Sequence, residues 1–315
     1  MIKHVPVLIQ EAIENLSVNK SGIYVDCTLG GGGYTKDILE KMSNLENCAL
    51  ISIDLDKDAI DGFQQDCKYK YNKISENIQQ TIIDTNVHFL VNNNFSNLKN
   101  IITQIKAKNQ KIKELPVKGI VADLGLNSSQ LDNKLGLSFQ NTSQDLDMRI
   151  DVNSNVKASD LIKVGTEKQL AELFDKYGDV KNSYKLAKKL KMYVSNDKPL
   201  SVNDLVHQID LTYSRTYALK NDLHAKVFQA LRIAVNNEFQ NLEELINQSC
   251  EILDIDARLV IVDFHSGEDR IVKHLMKSKV NFKSIIQDDI ISPSENELSQ
   301  NPRSRSAKLR AYKKM

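Results

Sequence analysis

The stretch VDCTLGGGGY, from Val25 to Tyr34, places four of the chain's 12 glycines in consecutive positions. It begins in a β-branched, apolar run, and it is followed by apolar residues at helical spacing, namely Ile38, Leu39, Met42 and Leu45. This pattern predicts a strand, a glycine turn and a helix in succession. Because glycine has no Cβ, the backbone N–H groups of such a turn stay open to a ligand. We therefore predict a nucleotide or nucleoside site at Gly30 to Gly33.

Four further β-branched, apolar runs follow along the chain, with helical periodicity between them: CALISIDLD, NVHFLVNNNF, VKGIVADLGL and ARLVIVDFHS. Strands that alternate with helices are typical of a parallel sheet that is covered by helices. The sequence therefore predicts an α/β fold with a doubly wound, mostly parallel sheet. The glycine turn is expected at the carboxyl edge of this sheet, where ligands bind in such folds.

The fourth and fifth predicted strands are separated by far more chain than the roughly 30 residues of an ordinary crossover unit. One long helix is predicted before the fifth strand, and its apolar stripe consists of Val227, Leu231, Val235, Leu242 and Ile246. The chain before it carries helical patterns such as ASDLIKVGTEKQLAELFDKYG and YKLAKKLKMYV. We predict a discontinuous domain of residues 1–130 and 225–315, interrupted by a helical substrate-recognition subdomain of residues 131–224.

The net charge of +1 neither requires nor excludes an anionic partner. Two basic clusters are each open to two interpretations, a solvated face or a nucleic-acid surface. They comprise Lys181, Lys185, Lys188, Lys189 and Lys191, and Arg303, Arg305, Lys308, Arg310, Lys313 and Lys314. The four scattered cysteines form no CxxC pair, and the sequence carries neither a membrane span nor a signal peptide. A soluble, cytoplasmic protein is expected.

The second predicted strand ends at Asp54, at the same edge of the sheet as the glycine turn. A carboxylate there can accept both hydroxyls of a ribose, in dehydrogenases as in S-adenosylmethionine-dependent methyltransferases. The dinucleotide fingerprint G-x-G-x-x-G fails, since its sixth position is Thr35 counted from Gly30 and Lys36 counted from Gly31. This disfavours a nicotinamide oxidoreductase but leaves both classes open.

A series of segments in fixed order resembles the MraW family of bacterial small-subunit ribosomal RNA methyltransferases. The segments are HVPVLIQEAIENL, YVDCTLGGGGYTKDIL, SIDLDKDAI, NNNFSNL, DLGLNSSQLD, LGLSF, LDMRID, YGD, VFQALRIAVNNEF, FHSGEDRIVK and NPRSRSAKLR. They cover nearly the whole chain. The chain departs from the family at single positions: Leu135 stands where the family has an arginine, which would remove one contact to RNA.

The resemblance implies a class I, Rossmann-like methyltransferase with an inserted helical subdomain after the fourth strand. The implied cofactor is S-adenosyl-L-methionine, and the implied reaction is methyl transfer to N4 of a cytidine in the decoding region of 16S ribosomal RNA. The implied partner is this RNA within an assembled or late-assembling 30S subunit; no membrane is involved, and a homodimer is left open. An RNA-binding assembly factor without turnover is an alternative, which the intact glycine loop and Asp54 disfavour.

The resemblance also assigns the cofactor contacts, position by position. They are Gly32, Gly33, Tyr34, Asp54, Phe95, Asp123 and Gln130. Tyr34 stands where the family usually has histidine. We therefore expect its backbone, rather than its side chain, to contact the cofactor.

Two residues are candidates for catalysis. Asp123 follows the fourth strand and either binds the amino group of the cofactor, which the family position favours, or accepts a proton from the target amine. His265 follows the fifth strand and could move that proton; the alternative is that His265 and Arg270 only hold backbone or phosphate. A metal site from His265, Glu268 and His274 is disfavoured, because a third strong ligand is lacking.

Four arginines are candidates for contacts to the substrate RNA: Arg149, Arg270, Arg303 and Arg305. A guanidinium suits phosphate because it can hold two oxygens at once. For Arg149 an ion pair with Asp147 or Asp151 is the equal alternative. The last two lie in NPRSRSAKLR, which resembles the family segment that ends in a strand of the sheet.

Overall fold

A computed structural model describes residues 6–126, 130, 134–194 and 200–315, apart from the side chain at position 303. The chain forms two compact units. The first consists of Met1–Asn127 and Phe239–Met315, and the second of Ser128–Glu238. No helix in the described ranges is long and apolar enough to cross a membrane.

The first unit contains the sheet. Its strands are β1 (Ile23–Asp26), β2 (Ala49–Asp54), β3 (Asn72–Ser75), β4 (Ile78–Ile83), β5 (Asn86–Asn92), β6 (Val117–Asp123), β7 (Leu253–Asp263), β8 (Phe282–Ser284) and β9 (Lys308–Lys314). Within the described residues these nine strands form one sheet in the order β3-β4-β5-β2-β1-β6-β7-β9-β8. The five central strands pair in parallel, and their order is β5-β2-β1-β6-β7. The pairings at both edges are antiparallel.

The central strands have the order of a doubly wound nucleotide-binding fold, with β1, the first strand in the sequence, in the middle. The predicted α/β class and mostly parallel sheet are confirmed. Next to β7, where the dinucleotide-binding fold continues with a sixth parallel strand, the antiparallel β9 lies instead. This difference separates the fold from that of nicotinamide oxidoreductases.

Helices cover both faces of the sheet. In the first unit they are α1 (Ile9–Leu16), α2 (Gly33–Met42), α3 (Lys57–Asp66), α4 (Leu98–Lys108), α11 (Glu238–Ile252), α12 (Ser266–Ser278) and α13 (Glu295–Gln300). The apolar residues of α4, α11 and α12 pack on one face, and those of α1 and α2 pack on the other. The strands β1 and β2 are buried along their whole length, as a sheet covered on both faces requires.

The second unit is helical in its described part. Its helices are α5 (Ala158–Val164), α6 (Glu167–Gly178), α7 (Ser183–Val194), α8 (Val202–Tyr213), α9 (Arg215–Lys220) and α10 (Leu223–Asn236). Capping boxes start α6 at Thr166 and α8 at Ser201, where a side-chain oxygen accepts from the third helical N–H group. The two predicted helical patterns are confirmed, and Gly165 divides the first of them into α5 and α6.

Two predictions need correction. The long crossover helix is broken at Asn237, which has φ 51° and separates α10 from α11, because asparagine tolerates the left-handed conformation better than most residues. As a result α10 belongs to the second unit, which extends to Glu238 instead of ending at residue 224. The antiparallel ribbon of β3 and β4 was not predicted, since its exposed residues lack clear apolar alternation.

Candidate active site

The predicted site residues of the first unit lie at one edge of its sheet. Because the central strands are parallel, their carboxyl ends meet there. The glycine loop follows β1, Asp54 ends β2, Phe95 comes shortly after β5, Asp123 ends β6, and His265 follows β7. Sequence order and sheet order thus bring these positions together.

The structure gives different reasons for glycine at the four loop positions. Gly30 and Gly32 have φ angles of 48° and 76°, which side-chain-bearing residues rarely adopt. Gly33 packs so closely on Pro6 that a Cβ atom would lie 2.0 Å from the proline ring. Gly31 has open space where its Cβ would be. No contact within the described chain therefore requires glycine at position 31, but a ligand that approaches the backbone would.

Asp54 connects the loop to the second strand. Its Oδ2 accepts from the N–H of Gly30 at 2.8 Å, and its Oδ1 accepts from the N–H of Asp56 at 2.8 Å. Burial raises the pKa of Asp54 to about 7. Each carboxylate oxygen has a second lone pair, so both can still accept from the hydroxyls of a ribose.

A series of hydrogen-bonded polar side chains extends from β1, next to the loop, across the neighbouring strands. Asp26 accepts from the hydroxyl of Thr35 at 2.7 Å, and that hydroxyl lies 2.6 Å from the hydroxyl of Ser52. Ser52 lies 2.9 Å from Nε2 of His88, and Nδ1 of His88 lies 2.6 Å from the hydroxyl of Tyr71. Burial lowers the pKa of His88 to about 3, so its ring is neutral.

The donors in this series can be assigned by elimination. Thr35 gives its only proton to Asp26, so Ser52 must donate to Thr35, and His88 must donate to Ser52 through Nε2–H. Nδ1 of His88 then accepts from Tyr71. The sequence contained a signal for this network, since Ser52 and His88 are polar residues inside otherwise apolar strands, and buried polar groups are almost always hydrogen-bonded.

Asp123 has the most distinctive environment of the site. Its backbone N–H donates to the hydroxyl of Thr28 at 2.8 Å, and Thr28 in turn donates its N–H to Asp26 at 3.1 Å. Its side-chain atom Oδ1 is buried and has no hydrogen-bond partner among the described residues. Burial, together with the carboxylates of Asp26 and Glu268, raises the pKa of Asp123 to about 8. A buried acceptor without a partner is costly, and a cationic or amine ligand would satisfy it.

Tyr34 directly follows the four glycines of the loop. Its side chain is buried among residues of α1 and α2, and its hydroxyl donates to the carbonyl of Val7. Burial raises the pKa of this phenol well above its usual value. The contact of its backbone with a cofactor, which the sequence led us to expect, stays a prediction.

Phe95 lies at the same edge of the sheet and its contact with a cofactor stays a prediction, whereas Gln130 belongs to the other unit. Phe95 opens a short 3₁₀ turn after β5, and the neighbouring Asn93 donates its N–H to the carbonyl of Asp54 at 3.0 Å. The end of β5 is thus held to the end of β2. Gln130 is buried and lies in the unit of residues 128–238, so its contact with a cofactor stays a prediction.

His265 caps a helix. Its Nδ1 accepts from the N–H of Glu268 at 3.4 Å, at the first turn of α12. In the neutral ring the proton is then on Nε2, which lies 3.2 Å from Oε1 of Glu268 without the alignment of a hydrogen bond. A neutral His265 in this state has no free lone pair with which to take a proton. The arrangement favours the structural interpretation over proton transfer.

The arginines predicted to contact RNA differ in their surroundings. Arg149 donates to both oxygens of Asp147, at 2.6 and 2.9 Å, and to the carbonyls of Val152 and Ser154. The environment of Arg149 therefore agrees with the alternative of an ion pair with Asp147. Arg270 and Arg305 are exposed, whereas the side chain at position 303 lies outside the described part.

Most of the C-terminal basic cluster is used within the first unit. Lys308 and Arg310 of β9 both pair with Asp269 of α12, at 2.8 and 2.7 Å. Lys313 pairs with Asp256 at 2.6 Å, and Lys314 donates to the carbonyls of Cys250 and Leu253. The predicted C-terminal strand is confirmed, and these cations hold it in the sheet.

Asp263, at the end of β7, was not noticed in the sequence. It is fully buried, and neither of its carboxylate oxygens has a hydrogen-bond partner among the described residues. Burial, with the carboxylates of Asp269 and Glu268, raises the pKa of Asp263 to about 8. The only signal in the sequence was its position within the apolar run VIVDF, which indicates a buried acid.

This sheet order, with acids at the ends of the second and fourth parallel strands, is that of a Rossmann-like methyltransferase. Comparison with known proteins agrees: the model of the MraW methylase family matches residues 1–315. The chain belongs to the MraW methylase family and is an S-adenosylmethionine-dependent methyltransferase.

Similar proteins are found in distant bacteria, and each is named ribosomal RNA small subunit methyltransferase H. The protein from Mycoplasmopsis agalactiae is 34% identical over 99% of both chains. The protein from Thermosipho melanesiensis is 34% identical over 99% of this chain and 98% of its own. The protein from Clostridioides difficile is 34% identical over 99% of both. The similarity extends over both units.

Proposed function

We propose that the protein transfers the methyl group of S-adenosylmethionine to N4 of a cytidine in the decoding region of 16S ribosomal RNA. The names of the similar proteins support ribosomal RNA of the small subunit as substrate. The observation that carries the proposal is the buried, unpartnered Oδ1 of Asp123 beside the glycine loop. An amine or ammonium group is a donor that would satisfy this atom.

The glycine loop and the acids supply binding and orientation. Asp26, Asp54 and Asp123 lie at adjoining strand ends and favour a positively charged ligand once they are ionised. Asp54 accepts from the ribose hydroxyls, and the open side of Gly31 admits the ligand to the backbone. Asp123 accepts from the amino group of the bound cofactor. When it is bound, S-adenosylmethionine supplies a methyl group on a positively charged sulfur.

The exocyclic amine of cytosine is a weak nucleophile, because its lone pair is delocalised into the ring. Most of the rate must therefore come from alignment of this amine with the methyl carbon. The amine would receive the methyl group of bound S-adenosylmethionine with loss of the sulfur–carbon bond, and it would release a proton to water or to a nearby acceptor. A base within structured RNA must leave its stack to reach such a site.

The natural substrate is proposed to be an assembled or late-assembling 30S subunit in the cytoplasm rather than free RNA. Small subunits and protein-free 16S RNA from cells that lack such an enzyme would be incubated with methyl-labelled S-adenosylmethionine, and the nucleosides analysed by mass. We expect N4-methylcytidine on subunits, and its loss with Asp54→Ala. Label on another base, or on protein, would contradict the proposed substrate. The homodimer stays a prediction that light scattering can test.

A further inference from the structure

The second unit carries a row of lysines that its own contacts do not use. Residues 181–192 contain five lysines and no acid. Lys189 donates to the carbonyl of Leu211 at 3.2 Å, and Lys191 donates to the carbonyl of Ile162 at 3.2 Å. The remaining three are exposed, and their ammonium groups have no hydrogen bond or ion pair within the described ranges: Lys181, Lys185 and Lys188. Two lysines of the row thus have a structural role, and three have none.

A pair of tyrosines lies beside this row. The rings of Tyr213, at the end of α8, and Tyr217, in α9, are nearly parallel, with an angle of 19° and centroids 6.2 Å apart. The hydroxyl of Tyr213 donates to the carbonyls of Lys181 and Asn182. Tyr217 is the outer member of the pair, and 44% of its surface is exposed. Core packing therefore does not account for this ring.

The same hydrogen bonds place the two features on one surface. Lys185 and Lys189 are four residues apart in α7, so they lie on one side of this helix, and Lys181 lies just before its N-terminal end. One end of this row is joined to Tyr213, and the other end is joined to Leu211. We call Lys181, Lys185, Lys188, Tyr213 and Tyr217 the basic-aromatic face.

We propose that the basic-aromatic face binds single-stranded RNA, with an unpaired base stacked on Tyr217 and the flanking phosphates on Lys181, Lys185 and Lys188. Unpaired cations attract phosphates and release counterions, whereas an exposed ring on a rigid support stacks on a base of any kind. An acidic protein segment would satisfy the lysines but not the ring. The proposal rests on the proposed function, because it identifies where the RNA substrate is held.

Binding of a fluorescein-labelled, unstructured oligoribonucleotide tests the face directly. Tyr217→Ala is expected to weaken binding on the order of tenfold, as the loss of one base stack does, whereas Tyr217→Phe keeps the ring and should bind like the parent. Lys185→Ala/Lys188→Ala should weaken binding and lower the slope of log affinity against log salt by about 1.4, at about 0.7 per phosphate contact.

A matched double variant controls for net charge. Lys113→Ala/Lys277→Ala removes two exposed lysines of the first unit whose ammonium groups also have no partner within the described ranges, and it should leave the salt slope unchanged. Equal losses in the two double variants would overturn the proposal, since overall charge would explain them. Parent-like binding by Tyr217→Ala would overturn the stacking role. Thermal unfolding identifies any variant that does not fold, in which case Tyr217→Leu, which keeps apolar volume, replaces it.

Methylation assays separate this proposal from the proposed function. Variants of the face should raise the KM for small subunits and leave the KM for S-adenosylmethionine unchanged. If the parent protein methylates cytidine and the variants do so with the same KM, the proposed RNA-binding role of the face is contradicted, and the proposed function is supported. If the parent does not methylate the RNA but the variants lose oligonucleotide binding as expected, the proposed function is contradicted, and the RNA-binding role of the face is supported.

Discussion

Gly32 and Phe63 are in such close contact that a methyl group on Gly32 would lie 2.3 Å from the phenyl ring. Phe63 belongs to α3, and its ring also packs edge-on against His88, with centroids 5.9 Å apart. The conformation of the glycine loop is therefore held by a helix that follows the next strand. Gly31, one residue earlier, has no such neighbour.

Alanine substitutions should separate these two glycines. Gly32→Ala would combine the clash with Phe63 and a φ of 76°, so we expect a loss of about 1–2 kcal/mol or more in the free energy of unfolding. Gly31→Ala should leave the unfolding midpoint unchanged but weaken S-adenosylmethionine binding about tenfold or more, because the added methyl occupies ligand space. Denaturant unfolding and calorimetric binding measure the two effects. Normal cofactor affinity in Gly31→Ala would contradict the assignment.

The affinity for S-adenosylmethionine should rise with pH. Because the pKa of Asp123 is raised to about 8, this carboxyl is mostly protonated near neutral pH, and an ammonium ligand requires the ionised form. We expect affinity to increase by up to about tenfold per pH unit between pH 6 and 8. Asp123→Asn should bind weakly and should lose the part of the increase that follows ionisation of Asp123, whereas the part that follows Asp54, whose pKa is raised to about 7, remains. A parent profile with the same slope as that of Asp123→Asn would argue against Asp123 as the ligand for this amine.

Ionisation of the buried Asp263 should lower the free energy of unfolding as pH rises. Its pKa is raised to about 8 in the folded protein, so between the unfolded value near 4 and pH 8 the folded state holds one more proton than the unfolded state. Its contribution is therefore present below pH 4 and lost as pH approaches 8, at about 1.4 kcal/mol per pH unit.

Asp263→Asn removes this ionisation. The free energy of unfolding of the variant minus that of the parent should increase from pH 5.5 to about pH 8 and then level off, as followed by urea titrations. Parallel profiles for the two proteins would show that Asp263 ionises normally.

Substitutions of His265 should affect stability more than chemistry. Asparagine is a good N-cap residue, so His265→Asn should retain both stability and the single-turnover rate, whereas His265→Ala should lose about 1 kcal/mol. If His265→Asn folds normally but loses more than about a hundredfold in rate, the proton-transfer interpretation is restored.

Arg149 should prove structural. Lysine cannot reproduce its four hydrogen bonds to Asp147, Val152 and Ser154, so Arg149→Lys should lower the free energy of unfolding by about 1–3 kcal/mol. The affinity of the folded variant for RNA should be unchanged. Arg270→Lys, at an exposed position, is the matched control and should alter stability little. A specific loss of RNA affinity in Arg149→Lys would assign this side chain to the substrate.

The parts of the fold that follow local patterns could be predicted. The glycine turn, the apolar strands and Asp54 depend on neighbours in sequence, and the structure places them as expected. The break at Asn237 carried a local signal, since two consecutive asparagines interrupt the apolar stripe, but periodicity alone favoured one continuous helix.

Features that depend on distant partners could not be read from the chain. Phe63 against Gly32, Tyr34 on the carbonyl of Val7, and the hydrogen bonds from Asp26 to His88 join residues from different elements. Asp263 is the extreme case, since its missing partners are a property of the packed sheet. For such groups the sequence supplies residue types, and only tertiary packing determines their protonation and exposure.

The pairing of β6 with β7 has a consequence for the order in which the protein folds during synthesis. These strands are neighbours in the sheet, but the whole second unit lies between them along the chain. Helix contacts such as those of α6 with α7 are local and form quickly, whereas a long-range strand pairing is slow and must wait for its partner. We expect the basic-aromatic face to be complete on a nascent chain whose cofactor site still lacks β7. The protein would thus acquire its capacity to hold RNA before its capacity to modify it.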